Sequence, residues 1–149
     1  MYPHLGGVAR NLTAALLLIP LLLLLAACSR QRRITADDLR SDLTSAISFA
    51  AETEIFIDFV RQGRSTDNYA DGHLQYLSDE LNRSASELHE STPEAAIAEK
   101  AQECRTLLDS LALQVAAVGP ILGDPGALSD VRQQIAKTRA ALEQAKSSL

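Results

Sequence analysis

From residue 35 to the C-terminus, apolar and small residues recur at alternating spacings of three and four, with charged and hydroxyl side chains between them. That period belongs to helices with one buried stripe, not to strands. Glycine and proline punctuate the pattern at Gly63, at Pro93, at Gly119-Pro120 and from Gly123 to Gly126, which divides it into four segments. The first predicted helix runs from about Thr35 to Gln62, with Thr35 as cap, Asp37 and Asp38 in its first turn and Gly63 just beyond its end. The second runs from about Thr66 to Glu90. The third opens on Thr92 as N-cap with Pro93 at the first position and Glu94 after it, and continues to about Val118. The fourth spans about Ser129 to Lys146, capped by Ser129, with Asp130 in its first turn.

The stripes are continuous along each segment. They comprise Ala36, Leu39, Leu43, Ala46, Ala50, Thr53, Ile57 and Val60 in the first, and Ala70, Leu74, Leu77, Leu81, Ser84 and Leu88 in the second. In the third they are Ile97, Ala101, Cys104, Leu108, Leu111, Val115 and Val118; in the fourth, Leu128, Val131, Ile135, Thr138, Leu142, Ala145 and Leu149. A period near 3.5 residues is the seam of helices crossing at roughly +20°. Four such helices with short connections predict an all-α fold, an antiparallel up-down four-helix bundle with heptad-like seams over residues 35–149. An elongated three-helix arrangement and a helical oligomer fit the same stripes.

Ahead of the helices, Ala14 to Cys28 form a run of 15 residues with no charged or strongly polar side chain. This is short of the roughly 20 that span a bilayer. It suits the apolar core of an export signal, with Arg10 in the positive segment before it. The run ends in Leu25-Ala26-Ala27-Cys28, a branched apolar residue, two small ones and a cysteine, which resembles a bacterial lipobox. The resemblance covers the first 29 residues and implies attachment of diacylglycerol to the Cys28 sulfur and cleavage just before it. Residues 1–27 are then a lipoprotein signal peptide, and 28–34 a lipidated basic tether carrying Arg30, Arg32 and Arg33. A basic cluster beside a lipid adds about 1 kcal/mol of headgroup attraction per charge. Ser29 is not the aspartate that retains many enterobacterial lipoproteins in the inner membrane, so the expected location is the outer membrane, facing the periplasm. The competing reading is an uncleaved membrane helix. The three arginines after the run outnumber Arg10, and the positive-inside rule would then leave the C-terminus in the cytoplasm.

Removal of the leader leaves 122 residues, enough for one domain with a core of its own. Loss of Arg10 takes the 14 basic residues to 13 against 19 acidic, a net charge of −6 that argues against nucleic acid as a partner. With Cys28 lipidated, Cys104 is the remaining thiol, and its stripe position marks it as a small buried hydrophobe. The chain lacks Glu-x-x-His, Cys-x-x-Cys-His, Gly-x-Ser-x-Gly and any phosphate-cradling glycine loop. Glu54, Asp58 and Arg61 share one helix face, a set that reads as a solvated or salt-linked edge. No enzyme, cofactor or metal site is expected.

A second apolar surface departs from a plain bundle. Phe49, Phe56 and Phe59 fall roughly opposite the first helix's stripe; Tyr69, His73 and Tyr76 follow along one flank of the second. Leu113 and then Gly119-Pro120-Ile121-Leu122 add apolar residues near the end of the third. If Cys28 holds the start of the first helix at the membrane, Phe56, Phe59, Tyr69, His73, Tyr76, Ile121 and Leu122 gather at the far end. Aromatic apolar surface rimmed by polar groups is typical of partner sites. The other reading is that the Gly119–Gly126 loop folds over them and they cap the core. The leading expectation is a membrane-anchored, non-catalytic module that binds another envelope protein, or itself, through this end. Alternatives are a periplasmic bundle that binds or senses a small ligand or metal, and a passive spacer. The spacer would resemble the small murein lipoproteins in outline, although the terminal "AKSSL" lacks their linking lysine.

Overall fold

In the computed structural model, residues 32–149 are described; the leader, the lipobox and Cys28 lie outside the described residues. Thr35 opens the first helix through a reciprocal cap. The Asp38 N–H donates to Thr35 Oγ1 at 3.2 Å, and the Thr35 N–H donates to Asp38 Oδ2 at 2.9 Å. The Thr35 N–H first, and second its hydroxyl, which donates to the same Asp38 Oδ2 at 2.8 Å, hold the Asp38 carboxyl below the usual carboxylate range. Helix α1 then runs Ala36–Arg61 and closes on a Schellman motif. Gly63, at φ +66°, donates to the Val60 carbonyl at 2.9 Å, and Arg64 donates to the Phe59 carbonyl at 3.2 Å.

The remaining helices are α2 (Asp67–Glu90), α3 (Ala98–Ala116) and α4 (Pro125–Ser147), with 3-10 turns at Ala95–Ile97 and Gly119–Ile121. The fold is all-α but for two residue pairs. Strand β1 (Arg33–Ile34) pairs in parallel with β2 (Thr92–Pro93). The backbone N–H groups of Thr92 and Glu94 donate to the carbonyls of Arg32 and Ile34 at 2.9 and 3.1 Å. This clip corrects the expected start of the third helix. Thr92 is a strand residue, not an N-cap, because its N–H is committed to Arg32. Pro93, which has no N–H to give, occupies the position where none is needed. The clip also draws Ile34 into the core, fully buried, so residues 32–34 belong to the folded unit.

The fourth helix begins four residues earlier than Ser129. Asp124 Oδ1 accepts from the N–H groups of Gly126 and Ala127 at 2.9 and 3.0 Å, and Pro125 takes the first helical position. Ser129 is exposed inside the helix.

Helix α1 lies against α4 and α2, and α3 against α2 and α4. The stripes meet in the middle: Leu39, Leu43, Ile57, Leu77, Leu81, Leu108, Leu111, Ile135 and Leu142 are each fully buried. In α2 the small buried residue is Ala85, one position beyond the expected Ser84. Thr53 is buried in the α1 stripe at no unpaired cost, because its hydroxyl donates to the Phe49 carbonyl at 2.8 Å. Gln114 Nε2 donates to Ser110 Oγ at 3.1 Å on its own helix and to Thr138 Oγ1 at 3.0 Å across the α3–α4 contact.

The Glu54–Asp58–Arg61 edge is salt-linked. Arg139 Nε donates to Glu54 Oε1 at 2.7 Å, and Arg132 Nε to Asp58 Oδ2 at 2.9 Å, both from α4 to α1. The Glu54 side chain is only 9% exposed, and such a carboxylate is stable as an anion only beside a cation. Arg139→Met is therefore expected to destabilise the protein by about 2–4 kcal/mol, since it strands a buried charge. Adding Glu54→Gln should recover most of that loss in denaturant melts at neutral pH. A double variant no more stable than Arg139→Met alone would show that the buried charge is not the cause.

Candidate functional site

The residues expected to form a partner surface divide into core, rim and exposed groups. Phe56 is 7% exposed and belongs to the core, the alternative in which it caps the core and does not face solvent. Helix α2 crosses α1 on the flank that carries Phe56 and closes over the ring with aromatic side chains. His73 lies 4.4 Å from it and Tyr69 6.0 Å, centroid to centroid. Phe59 and Phe49 are half-buried against the core. Phe59 stacks on Phe56 at 6.4 Å, and the Arg64 guanidinium lies 5.1 Å over its free side. Ile121 and Leu122 are also half-buried, packed on the core in the turn after α3. Arg64 and the α2 aromatics are thus the groups set against the two phenylalanines.

The exposed members are Tyr69 at 57%, Tyr76 at 53% and, beside them on α1, Ile55 at 71%. His73 joins them to the core. Its ring stacks nearly parallel to Tyr69, 5° between planes at 5.8 Å, approaches Tyr76 at 6.4 Å, and places Nε2 3.4 Å from Glu52 Oε1. The spacing 69, 73, 76 puts these three rings on one side of α2, while Glu52, Ile55 and Phe59 follow the i, i+3, i+7 spacing on α1. Phe59, Phe56, Tyr69, His73 and Tyr76 thus form one chain of ring contacts with the Glu52 carboxylate against it. Leu113, 73% exposed on α3, is a separate apolar residue.

Neither histidine has an acidic residue at helical spacing on its own helix, yet each has a carboxylate from another. His89 on α2 lies 2.9 Å from Asp109 on α3. Such pairs are set by helix register and have no local sequence signal. Arg105 on α3 likewise reaches the end of α2. Its Nε and Nη2 donate to the Leu88 and Ser91 carbonyls at 3.1 and 2.9 Å, satisfying groups that a helix terminus leaves open. Among the described residues no three His, Cys, Asp or Glu side chains converge as metal ligands, and no helix is long and apolar enough to cross a membrane. The clefts open to solvent. One of about 310 Å³ lies beside β2, one of about 220 Å³ between α2 and α3, and one of about 630 Å³ between Arg40, Ile47, Glu143 and Leu149.

Cys104 is free and fully buried. Burial pushes its thiol up to about 11, with Glu103 adding to the shift. Because the folded value lies above the ordinary thiol value of about 8.5, the buried thiol's contribution is complete below that range and is lost as pH rises towards 11. Stability should therefore fall more steeply across this window in the parent than in Cys104→Ala. Alkylation at neutral pH should wait for unfolding, and rapid labelling of the folded protein would contradict this placement.

Phe56→Ala should cost about 3–5 kcal/mol as a cavity in the core. Tyr76→Ala and Ile55→Ser, both on the exposed rim, should each stay within about 0.5 kcal/mol. Thermal melts of the three variants separate core from face.

Comparison with known proteins finds no matching family model, no matching curated protein and no matching solved structure.

Proposed function

We propose that this chain is a lipid-anchored, non-catalytic helical module of the bacterial envelope that acts by protein–protein interaction. The contact surface in this reading is the aromatic face of α1 and α2. The observation that carries it is the exposure of Tyr69 and Tyr76 on either side of His73, with Ile55 exposed one turn beyond Glu52 on α1. Tyrosine combines a large apolar body with a polar tip, which makes it a common anchor at protein interfaces. Exposed apolar groups gathered into a patch mark interaction sites more often than scattered ones do.

Within this proposal the helices form an antiparallel up-down bundle. Two sets of contacts support the direction: Glu54 meets Arg139 while Asp58 meets Arg132, and Glu52 meets His73 while Phe56 meets both His73 and Tyr69. In each, a later residue of α1 meets an earlier one of the partner helix. The lipobox supplies the anchor at Cys28, and Arg32 stands four residues after it, a span of at most about 14 Å. The clip end of the domain is thereby kept near the membrane. Ile55 lies 21 residues beyond Ile34, about 31 Å along the helix axis, which gives the aromatic face the reach to stand away from the lipid. Outer-membrane sorting is part of the same reading, supported by Ser29 after the cysteine.

The anchor is tested by Cys28→Ser. Metabolic labelling with a fatty acid should be abolished and an unprocessed precursor should accumulate in the membrane fraction. Processing and labelling like the parent would sink the lipobox assignment, and an intact N-terminus on the parent protein would favour a membrane helix instead.

A further inference from the structure

Beyond the aromatic end, the same outer face of α1 and α2 becomes acidic. Asp38 and Asp42 stand on α1, and Glu80 and Glu87 on α2. Glu52 lies among the rings themselves. The cations here are Arg83, which hydrogen-bonds both Glu80 and Glu87, Arg32, which lies 3.8 Å from Asp38 and 4.0 Å from Asp42, and at the aromatic end Arg64, over Phe59. Five carboxylates thus stand against three guanidinium groups. Asp42 and Glu87 come from different helices yet lie close enough to repel. The Asp42 carboxyl is raised above its ordinary range, first by burial, against the pull of Arg32 and with Asp38 and Glu87 adding to the rise. Negative charge therefore continues across the groove and is not confined to one helix.

We propose that this face is the docking site for a basic amphipathic helix of another protein, with its apolar side chains on Ile55, Tyr69 and Tyr76 and its lysines or arginines along Glu52, Glu80 and Asp42. This deepens the interaction reading above and rests on it. Charge selects the occupant. A second copy would bring like against like, because α1 carries six acidic and two basic residues and α2 six acidic and one basic. Anionic headgroups are disfavoured for the same reason. Cations also complement an aromatic face directly, since they are attracted to ring faces as well as to carboxylates. The span from Asp42 to Phe59 is 17 residues of α1, or about 26 Å, which matches a docked helix of similar length.

The test uses the full chain held in zwitterionic nanodiscs and two 18-residue helical peptides. The peptides share one leucine and tyrosine face, and carry lysine or glutamate at the remaining positions. The lysine peptide should bind at least tenfold more tightly than the glutamate peptide and weaken with added salt. Its NMR shift changes should map to Glu52, Ile55, Tyr69 and Tyr76. Tyr76→Ala and Glu52→Lys should each weaken it at least tenfold with unchanged melting, whereas Glu99→Lys, the same charge change on the exposed start of α3, should not. Equal binding of both peptides, shifts on another face, or loss equal in Glu99→Lys and Glu52→Lys would overturn the proposal. A photoreactive phenylalanine at position 76, expressed in the native host, separates the two levels. Crosslinks to an identified basic helix support both, and crosslinks to an acidic segment retain the interaction reading but overturn this one. Crosslinks only to a second copy or to lipid overturn the basic-helix occupant, and no crosslink at all overturns the interaction reading itself.

Discussion

Glu54 is the point on which the α1–α4 contact turns. It is the one charged residue among the buried side chains of α1, between Thr53 and Phe56, and its side chain is nearly sealed from water. A carboxylate there costs several kcal/mol in lost hydration unless a cation meets it with good geometry. Arg139 does so at 2.7 Å, and itself leans on Glu143 one turn along α4 at 2.8 Å. Arg139 is held in its charged form beyond its ordinary range, by the Glu54 hydrogen bond first. The pair adds little net stability compared with two well-packed apolar residues. What it does is penalise arrangements that leave Glu54 without a cation, a discrimination that leucine against leucine cannot supply.

That discrimination is incomplete, and the sequence shows why. Arg132, Arg139 and Lys146 recur every seven residues. A slide of α4 by one heptad along α1 would therefore still offer Glu54 a cation. Two other features reject the slide. Gln114 reaches Thr138 across the α3–α4 contact, and the residues seven before and after Thr138 are Val131 and Ala145, which cannot accept its hydrogen bond. The Asp124 cap then fixes where α4 starts, only a short turn after α3. At the other end, the two-bond clip sets the start of α1 against the α2–α3 connection and seals Ile34 beneath it. Register comes from polar groups at the ends and edges of apolar seams that would accept several registers.

This division explains how much was legible in the chain. Stripe residues were read correctly almost throughout, because burial on one helix face follows from spacing alone. Thr35 and Gly63 were legible for the same local reason: a cap and a left-handed glycine act within four residues. Thr92 and Ser129 misled. The pattern Thr-Pro-Glu is a fair helix start taken by itself, but the N–H of Thr92 was claimed by a carbonyl 60 residues away. Ser129 lost to Asp124, whose carboxylate reached two N–H groups from five residues before the expected start of the helix. Phe56 was open between core and surface for another reason. A helix with neighbours on two sides buries more than its narrow stripe, so an aromatic away from the stripe became core once α2 lay over it. The pairs Glu52–His73 and His89–Asp109 had no trace in the local pattern, because each joins helices whose relative register no short window encodes.

The exposed face is not a by-product of making this core. Phe56 closes the hydrophobic centre between α1 and α2, and His73 and Phe59 finish it. Tyr76 and Ile55 stand outside that closure and Tyr69 at its edge, all more than half exposed, at positions where glutamate, lysine or glutamine would serve a solvated helix better. Elsewhere the outer side of α1 is polar: Ser41, Thr44, Ser45 and Ser48 are exposed, and three of them return their hydroxyls to the carbonyl four residues back. The change from hydroxyls to Ile55 along one helix side, with Tyr76 exposed on α2, has no folding role that the buried contacts require. In the proposed reading, the three apolar side chains left in water, beside carboxylates that outnumber the nearby cations, meet a partner that brings both apolar surface and positive charge.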